Sequence, residues 1–391
     1  MKLNNLSALL ARHLLIMKKR HNLIGLLILI NLFISSCGDN SNPVDAEDPG
    51  DTKEPIELIW KAKALPETDP MTVSVSPDGT LYAINAYPYY IGTDEDRSLI
   101  YVSKDQGDSW QTIDLKTAPI NNSDYSHDRI KVYHVEPVGQ DRLLILATIN
   151  FPGPEVLLFS EDGGSSWIIT SDFYIDDFAT FTSDYSGNIL VGSKDRINDK
   201  YIHQSSDYGK TWDSFLIPEN RHIYKPYFGQ STSSVFVNAD SLYHTIDKGQ
   251  HWSANRYRFR HLTKNSNNTF LGIEYDGQRH IAYTSSDDGE DWKRSNIGIS
   301  YHLAAITPLS NNSYLLLDRL FQHLILSEDG TEWQTLDIKV AGSDSTLADF
   351  LDRNDGMKII RSPDNQLYLT VGSRSDNPIS HFFVATEPKE N

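Results

Sequence analysis

"SSDYGKTW", residues 205–212, is a run of small polar residues around an aspartate, a glycine and a tryptophan, and it has copies. "SKDQGDSW" stands at 103–110, "SEDGGSSW" at 160–167, "TIDKGQHW" at 245–252 and "SSDDGEDW" at 285–292. A sixth copy, "SEDGTEW" at 327–333, is one residue shorter. The tryptophans Trp110, Trp167, Trp212, Trp252, Trp292 and Trp333 follow one another at steps of 57, 45, 40, 40 and 41 residues. A period of roughly 40–50 residues marks a repeated supersecondary unit, in a solenoid or a propeller.

Two further signals keep the same beat. A short β-branched or aromatic run precedes each copy, as in "VLLF" (156–159) and "HIAYT" (280–284). Upstream of that run lies a turn followed by a second apolar run, as in "SPDGTLYAI", "DYSGNILVG" and "LSNNSYLLL". Short strands separated by Gly, Asn, Asp and Ser turns read as antiparallel meanders. With one run before and the Trp-bearing run after, each unit has four strands, which is one propeller blade. The last unit holds "SPDNQLYLT" (362–370) and "HFFVAT" (381–386) but no copy of the loop and no tryptophan. The missing strand is expected at the other end, in "IELIWKAKAL" (56–65) with Trp60. The sequence therefore predicts an all-β, seven-bladed β-propeller over 56–391, closed by the N-terminal strand pairing in the last blade. Closure removes two sheet edges that would otherwise recruit other chains.

The loop needs its residue types. A tight hairpin leaves backbone N–H groups without ladder partners, and the carboxylates of Asp105, Asp162, Asp207, Asp247, Asp287 and Asp329 are placed to accept them. Glycine supplies the positive φ that other residues resist. The tryptophans are expected between blades, which cannot bury their sheets alone. These stretches resemble the Asp-box, or BNR repeat, of bacterial sialidases and several other propeller families. In those families the boxes lie on the face opposite the ligand, which implies a structural role here. Sialidases usually have six blades, three carboxylate-binding arginines, an early Arg-Ile-Pro triplet, and a Tyr/Glu pair with an Asp for chemistry. No arginine stands between Cys37 and Arg97, and neither Arg129-Ile130 nor Arg196-Ile197 is followed by proline. The Asp-box xyloglucan-cleaving glucanases use two seven-bladed propellers, and this chain has room for one. The resemblance is better to the photosystem II assembly factors, exported single seven-bladed propellers that act through protein contacts.

Of 391 residues, 35 are Lys or Arg and 53 Asp or Glu, a net charge of −18 that argues against nucleic acid as a partner. The only cysteine, Cys37, follows a basic "KKRH" (18–21) and the apolar run Leu23–Ile34. That order reads as a secretory signal, too short to span a bilayer, with Met17 as an alternative start. Ile34-Ser35-Ser36-Cys37 resembles the lipobox of bacterial lipoproteins, which implies acylation of Cys37 and attachment to a membrane in the cell envelope, periplasmic or at the outer surface. Residues 38–55 are acidic, rich in Pro and Gly, and expected to act as a flexible linker. One cysteine forbids an intrachain disulfide. No histidine spacing suits a metal, and no phosphate-binding glycine loop occurs, so no cofactor is expected.

Ligand-face candidates come from loops joining second to third strands and blade to blade. These are Tyr87, Tyr89 and Tyr90 in 85–98, and Arg221, His222, Tyr224 and Tyr227 in 217–228. Ser345 begins a possible short helix with Leu347, Phe350 and Leu351. "RYRFR" (256–260) alternates as an exposed outer strand would. The expectation is a monomeric binding or assembly module for a protein or glycan partner. The alternative is a glycan-active hydrolase or lyase with unrecognised catalytic residues in the same loops.

Overall fold

Seven four-stranded antiparallel meanders follow one another along the chain. Their spans are 71–114, 130–169, 180–216, 225–255, 259–296, 303–340, and 356–386 completed by Glu57–Lys63. The computed structural model describes residues 57–386 except 67–70, 86–96, 122–128, 151–152, 172, 174, 176–178, 195–199, 219–224, 240, 298–302, 319–322, 343–355 and 373–380. The signal, Cys37 and the 38–55 linker lie outside the described residues, as do Ser345 and the helix expected after it.

The N-terminal strand closes the ring. Lys61, Ala62 and Lys63 pair antiparallel with Val384, Phe383 and Phe382, supplying the fourth strand of blade 7. Trp60 immediately precedes the first of these pairs. In the same way Trp110 precedes Gln111, which pairs with Val102, and Trp252 precedes Ser253, which pairs with His244. All seven tryptophans thus hold equivalent positions at the start of an outer strand's pairing. One feature goes beyond the sequence expectation. The first half of Glu57–Lys63 pairs in parallel with Gln334–Val340, the outer strand of blade 6, in the register Leu58↔Ile338 to Trp60↔Val340. Ala341 N–H then donates to the Trp60 carbonyl at 2.8 Å. Blades 6 and 7 are therefore joined in one eight-stranded sheet.

The core lies between blades. Trp60, fully buried, packs with Leu315 and Leu324 of blade 6 and Leu367 and Phe383 of blade 7. Trp167 of blade 2 sits among Tyr82 and Ile100 of blade 1 and Leu143 and Ile145 of its own blade. Trp110 of blade 1 packs against Phe382 of blade 7, with ring centroids 6.3 Å apart. Its indole N–H donates to the Ala64 carbonyl at 3.1 Å. Flat sheet faces stack only when large apolar groups fill the wedge between them, and tryptophan supplies the most area for one ordered side chain.

The first strand of each blade is innermost. Hydrogen bonds between first strands run around the axis: Ser74 Oγ donates to Val135 O at 2.8 Å, and Thr182 Oγ1 to Pro226 O at 2.6 Å. Lys358 Nζ reaches Val73 O at 3.3 Å. Each first strand enters at the end where blade-to-blade connections arrive and leaves at the end carrying the repeated hairpins. "RYRFR" departs from its expectation. The outer strand of blade 4 ends at Asn255, residues 256–258 are the connection, and Phe259–Lys264 is the innermost strand of blade 5. The run crosses from rim to axis, so Arg260 faces the channel while Arg256 and Arg258 stay exposed on the connection.

Candidate functional site

The repeated hairpins and the axial channel are the two places where polar groups converge, and they do different work. In five hairpins the leading hydroxyl (Ser103, Ser160, Ser205, Thr245 or Ser285) donates to the aspartate two residues on at 2.7–2.8 Å. The same oxygen accepts the glycine N–H at 2.8–2.9 Å. The carboxylate accepts the N–H four residues beyond it, from Ser109, Ser166, Thr211, His251 or Asp291, at 2.8–3.1 Å. Hydrogen bonds from Ser109 hold Asp105 at about 2, and those from His251 hold Asp247 at about 2. Both oxygens of each carboxylate thus accept from the hairpin's own donors, Asp105 from Ser103 and twice from Ser109, for example, which is a structural use of the charge. In the shortened sixth hairpin Asp329 turns to the Thr331 N–H at 2.7 Å. The residue it lacks is the non-terminal left-handed one, filled elsewhere by Gln106, Gly163, Tyr208, Lys248 and Asp288; only Gly330 keeps a positive φ. Glycine is required for contact as well as conformation. A Cβ on Gly249 (φ +78°) would fall 2.5 Å from Phe215 of the preceding blade.

A serine, a histidine and an aspartate meet on this face without forming a catalytic triad. Ser234 Oγ donates to Asp288 at 2.6 Å and lies 2.9 Å from His244 Nε2, while His244 is 3.8 Å from Asp288. The serine proton is committed to the carboxylate and the imidazole does not stand between them, so no base activates the hydroxyl. The trio clamps blade 4 to the blade 5 hairpin.

The channel holds a cavity of about 660 Å³ running between the innermost strands of blades 4 to 7. Lys225 and Asn238 border it where connections enter, and Tyr185 and Arg361 border it toward the hairpin end. Lys225, Arg260, Lys358 and Arg361 line it, and no Asp or Glu is among the described lining residues. Just beyond the lining, Glu136 of blade 2 lies 3.1 Å from His134 Nε2. Burial opposes its ionisation, but the His134 hydrogen bond and the charges of His134, Lys225 and Lys358 win, so its pKa falls below the usual carboxylate range. Burial pulls the Lys358 ammonium down, and Lys225 repels it further against the attraction of Glu136. Burial also pushes the Tyr227 phenol far above its ordinary range, so it remains a neutral donor. Lys225 Nζ lies 5.7 Å from the Tyr227 ring centroid, within cation–π reach.

Of the ligand-face candidates, Tyr227 lies in the innermost strand of blade 4 and lines this cavity. Tyr87, Tyr89, Tyr90, Arg221, His222 and Tyr224 lie outside the described residues. His134, Glu136 and Lys358 stand in strands and not in the loops from which the sequence candidates come; Lys225 lies inside the 217–228 stretch without being singled out, and Arg260 falls in the run expected to be an exposed outer strand. A signal existed: polar, titratable side chains inside otherwise apolar first strands, as in "KVYHVEPV" and "MKIIR", must face either solvent or the axis. Among the described residues no cluster of His, Cys, Asp and Glu suits a metal ion.

These features define a seven-bladed β-propeller with a cationic axial channel. No protein-family model matches the chain, and no curated protein matches it in a sequence comparison. Solved structures do resemble it. YCF48 bound to D1 peptide superposes with a TM-score of 0.52 at 15% identity, covering 84% of this chain and 97% of that one. A streptogramin B lyase gives 0.56 at 11% identity, covering 84% and 98%. The GH74 xyloglucanase from Xanthomonas campestris gives 0.52 at 15% identity, covering 82% of this chain and 55% of the enzyme. Identities this low show a shared fold, and that fold hosts enzymes and non-enzymes alike.

Proposed function

We propose that this chain is an Asp-box-type propeller lipoprotein, exported and held by lipid on Cys37 in a bacterial cell envelope. There it serves as a binding or assembly module for a protein partner met at the channel end opposite the hairpins. The observation that carries the proposal is the axial cavity of about 660 Å³, bordered by five blades, lined by cations and reaching Lys225 and Asn238 at that end. A preformed concave site with a few convergent polar groups is the usual form of a ligand site. The likeness to a propeller that binds a peptide supports the choice of partner. The hairpin carboxylates, by contrast, accept hydrogen bonds from their own hairpins. A photo-crosslinking residue at Arg258, on the exposed connection between blades 4 and 5, tests the docking face. It should capture a discrete partner in cells, while the same residue at Ile246, on a hairpin, should not. Capture only from Ile246 would place binding on the wrong end. Labelling with a palmitate analogue should mark the wild type and not Cys37→Ala.

One observation favours a second reading, a glycan-active hydrolase or lyase. Glu136 and His134, 3.1 Å apart beside the channel, have the makings of an acid/base pair. Turnover of a polysaccharide or fluorogenic glycoside that disappears in Glu136→Gln would establish it. Inactivity across such a panel leaves the binding module.

A further inference from the structure

A protein with a net charge of −18 has concentrated positive charge in its axis. Lys225, Arg260, Lys358 and Arg361 all border one cavity, and among the described residues no carboxylate borders it with them. Like charges brought together in a partly enclosed space repel one another, and the low-dielectric walls strengthen that repulsion. Partners inside the fold account for some of it. Arg260 lies 4.6 Å from the Tyr275 ring centroid, and Lys358 donates to a backbone carbonyl. Neither of these is an anion. Glu136 is the acid these lysines feel, and two lysines share it. Its charge is already drawn on by His134.

A second observation is independent of charge. Asn238, 2% exposed, donates its Nδ2 to the Phe259 carbonyl at 2.8 Å, but its Oδ1 is buried without a partner. Asn238 borders the same cavity and is the cross-strand neighbour of Lys225. A buried orphan acceptor costs free energy unless something with an N–H or O–H meets it. Beside these groups the walls include Ile306, Pro308 and Ile360, each half-buried. Aliphatic walls next to ammonium groups suit a carboxylate carried beside an apolar side chain, which is a peptide's chemistry more than a sugar's.

We infer that the channel binds an acidic peptide segment, its carboxylate between Lys225 and Lys358, a backbone N–H on Asn238 Oδ1, and an apolar neighbour against Ile306, Pro308 and Ile360. The inference rests on the channel being the binding site and names the chemistry it accepts. N-acetyl-Leu-Glu-Leu-amide and its Leu-Gln-Leu counterpart differ in one charge. Both are titrated into the full chain in detergent micelles at low salt, followed by NMR shifts. The Glu peptide should bind saturably and about tenfold more tightly than the Gln peptide. Lys225→Met and Lys358→Met should each erase that preference, and Lys210→Met, on a hairpin, should keep it. Lys225 is exposed, so its variant tests the site even if Lys358→Met fails to fold. Equal affinity for the two peptides, no saturable binding of either, or a preference that survives both lysine variants overturns the inference. Glucuronate binding with the same lysine dependence, and no peptide binding, overturns it in favour of an acidic glycan. If crosslinking at Arg258 persists while the peptides fail, docking at this face stands and the carboxylate chemistry falls.

Discussion

Each hairpin turns on a hydroxyl that the aspartate tends to obscure. Ser205, 1% exposed, simultaneously donates to Asp207 at 2.8 Å and accepts the Gly209 N–H at 2.8 Å. Ser205→Ala leaves a buried N–H without an acceptor and the carboxylate without one donor. It should therefore cost about 1–3 kcal/mol in denaturant unfolding, with Ser205→Thr close to wild type. Thr245 already fills the equivalent place in the fourth hairpin with bonds of 2.8 and 2.9 Å. A Ser205→Ala variant as stable as wild type would show that water replaces the hydroxyl. Gly249→Ala should be worse than an ordinary glycine substitution, since it meets both a positive φ and the Phe215 ring. A melting temperature unchanged from wild type would contradict that contact.

Within blade 3, His203 explains a pH dependence. Its ring stacks on Phe173 with centroids 3.6 Å apart and planes 9° from parallel. Its two nitrogens meet Ser193 Oγ at 2.8 Å and Ser214 Oγ at 2.7 Å. Burial lowers its pKa from 6.5 to about 3, so the imidazole stays neutral in the folded chain. The unfolded chain binds the proton first. Stability is therefore full above about pH 6.5 and is lost as pH falls toward 3, at up to about 1.4 kcal/mol per pH unit. His203→Phe keeps the stack and removes the titration, so its denaturant midpoint should fall less than wild type's between pH 7 and 4.5. Parallel declines in the two proteins would show that His203 does not titrate alone. His244 is also lowered by burial and adds to the same acid sensitivity.

Closure of the ring depends on seven residues at the start of the described chain. Lys61 and Val384 are cross-strand partners, so cysteines there in a Cys37→Ala background should form an intrachain disulfide and raise the melting temperature. Exclusively intermolecular crosslinks would mean the strand exchanges between chains. Trp60 joins the clusters of blades 6 and 7, and Trp60→Ala should cost about 3–5 kcal/mol, the price of a large buried aromatic. A loss under about 1 kcal/mol would show that the parallel pairing with Gln334–Val340 holds the strand without its indole. The same closed ring gathers the charge described above. Three first strands from distant parts of the chain bring Lys225, Arg260, Lys358 and Arg361 around one cavity.

The repeat period, the strand and turn pattern and the stray Trp60 were enough to specify seven blades and their closure, because each is a local preference repeated at fixed spacing. Hairpin chemistry was legible for the same reason: donor and acceptor lie within four residues of each other. The parallel stitch between blades 6 and 7 was not, since it depends on where a strand's first half falls once the ring has closed. Nor was the channel. Lys225 and Lys358 stand 133 positions apart in the chain, and only the circular arrangement of first strands puts both on one axis. Local order is written in neighbouring residues, whereas a site assembled across blades exists only where the chain returns to meet itself.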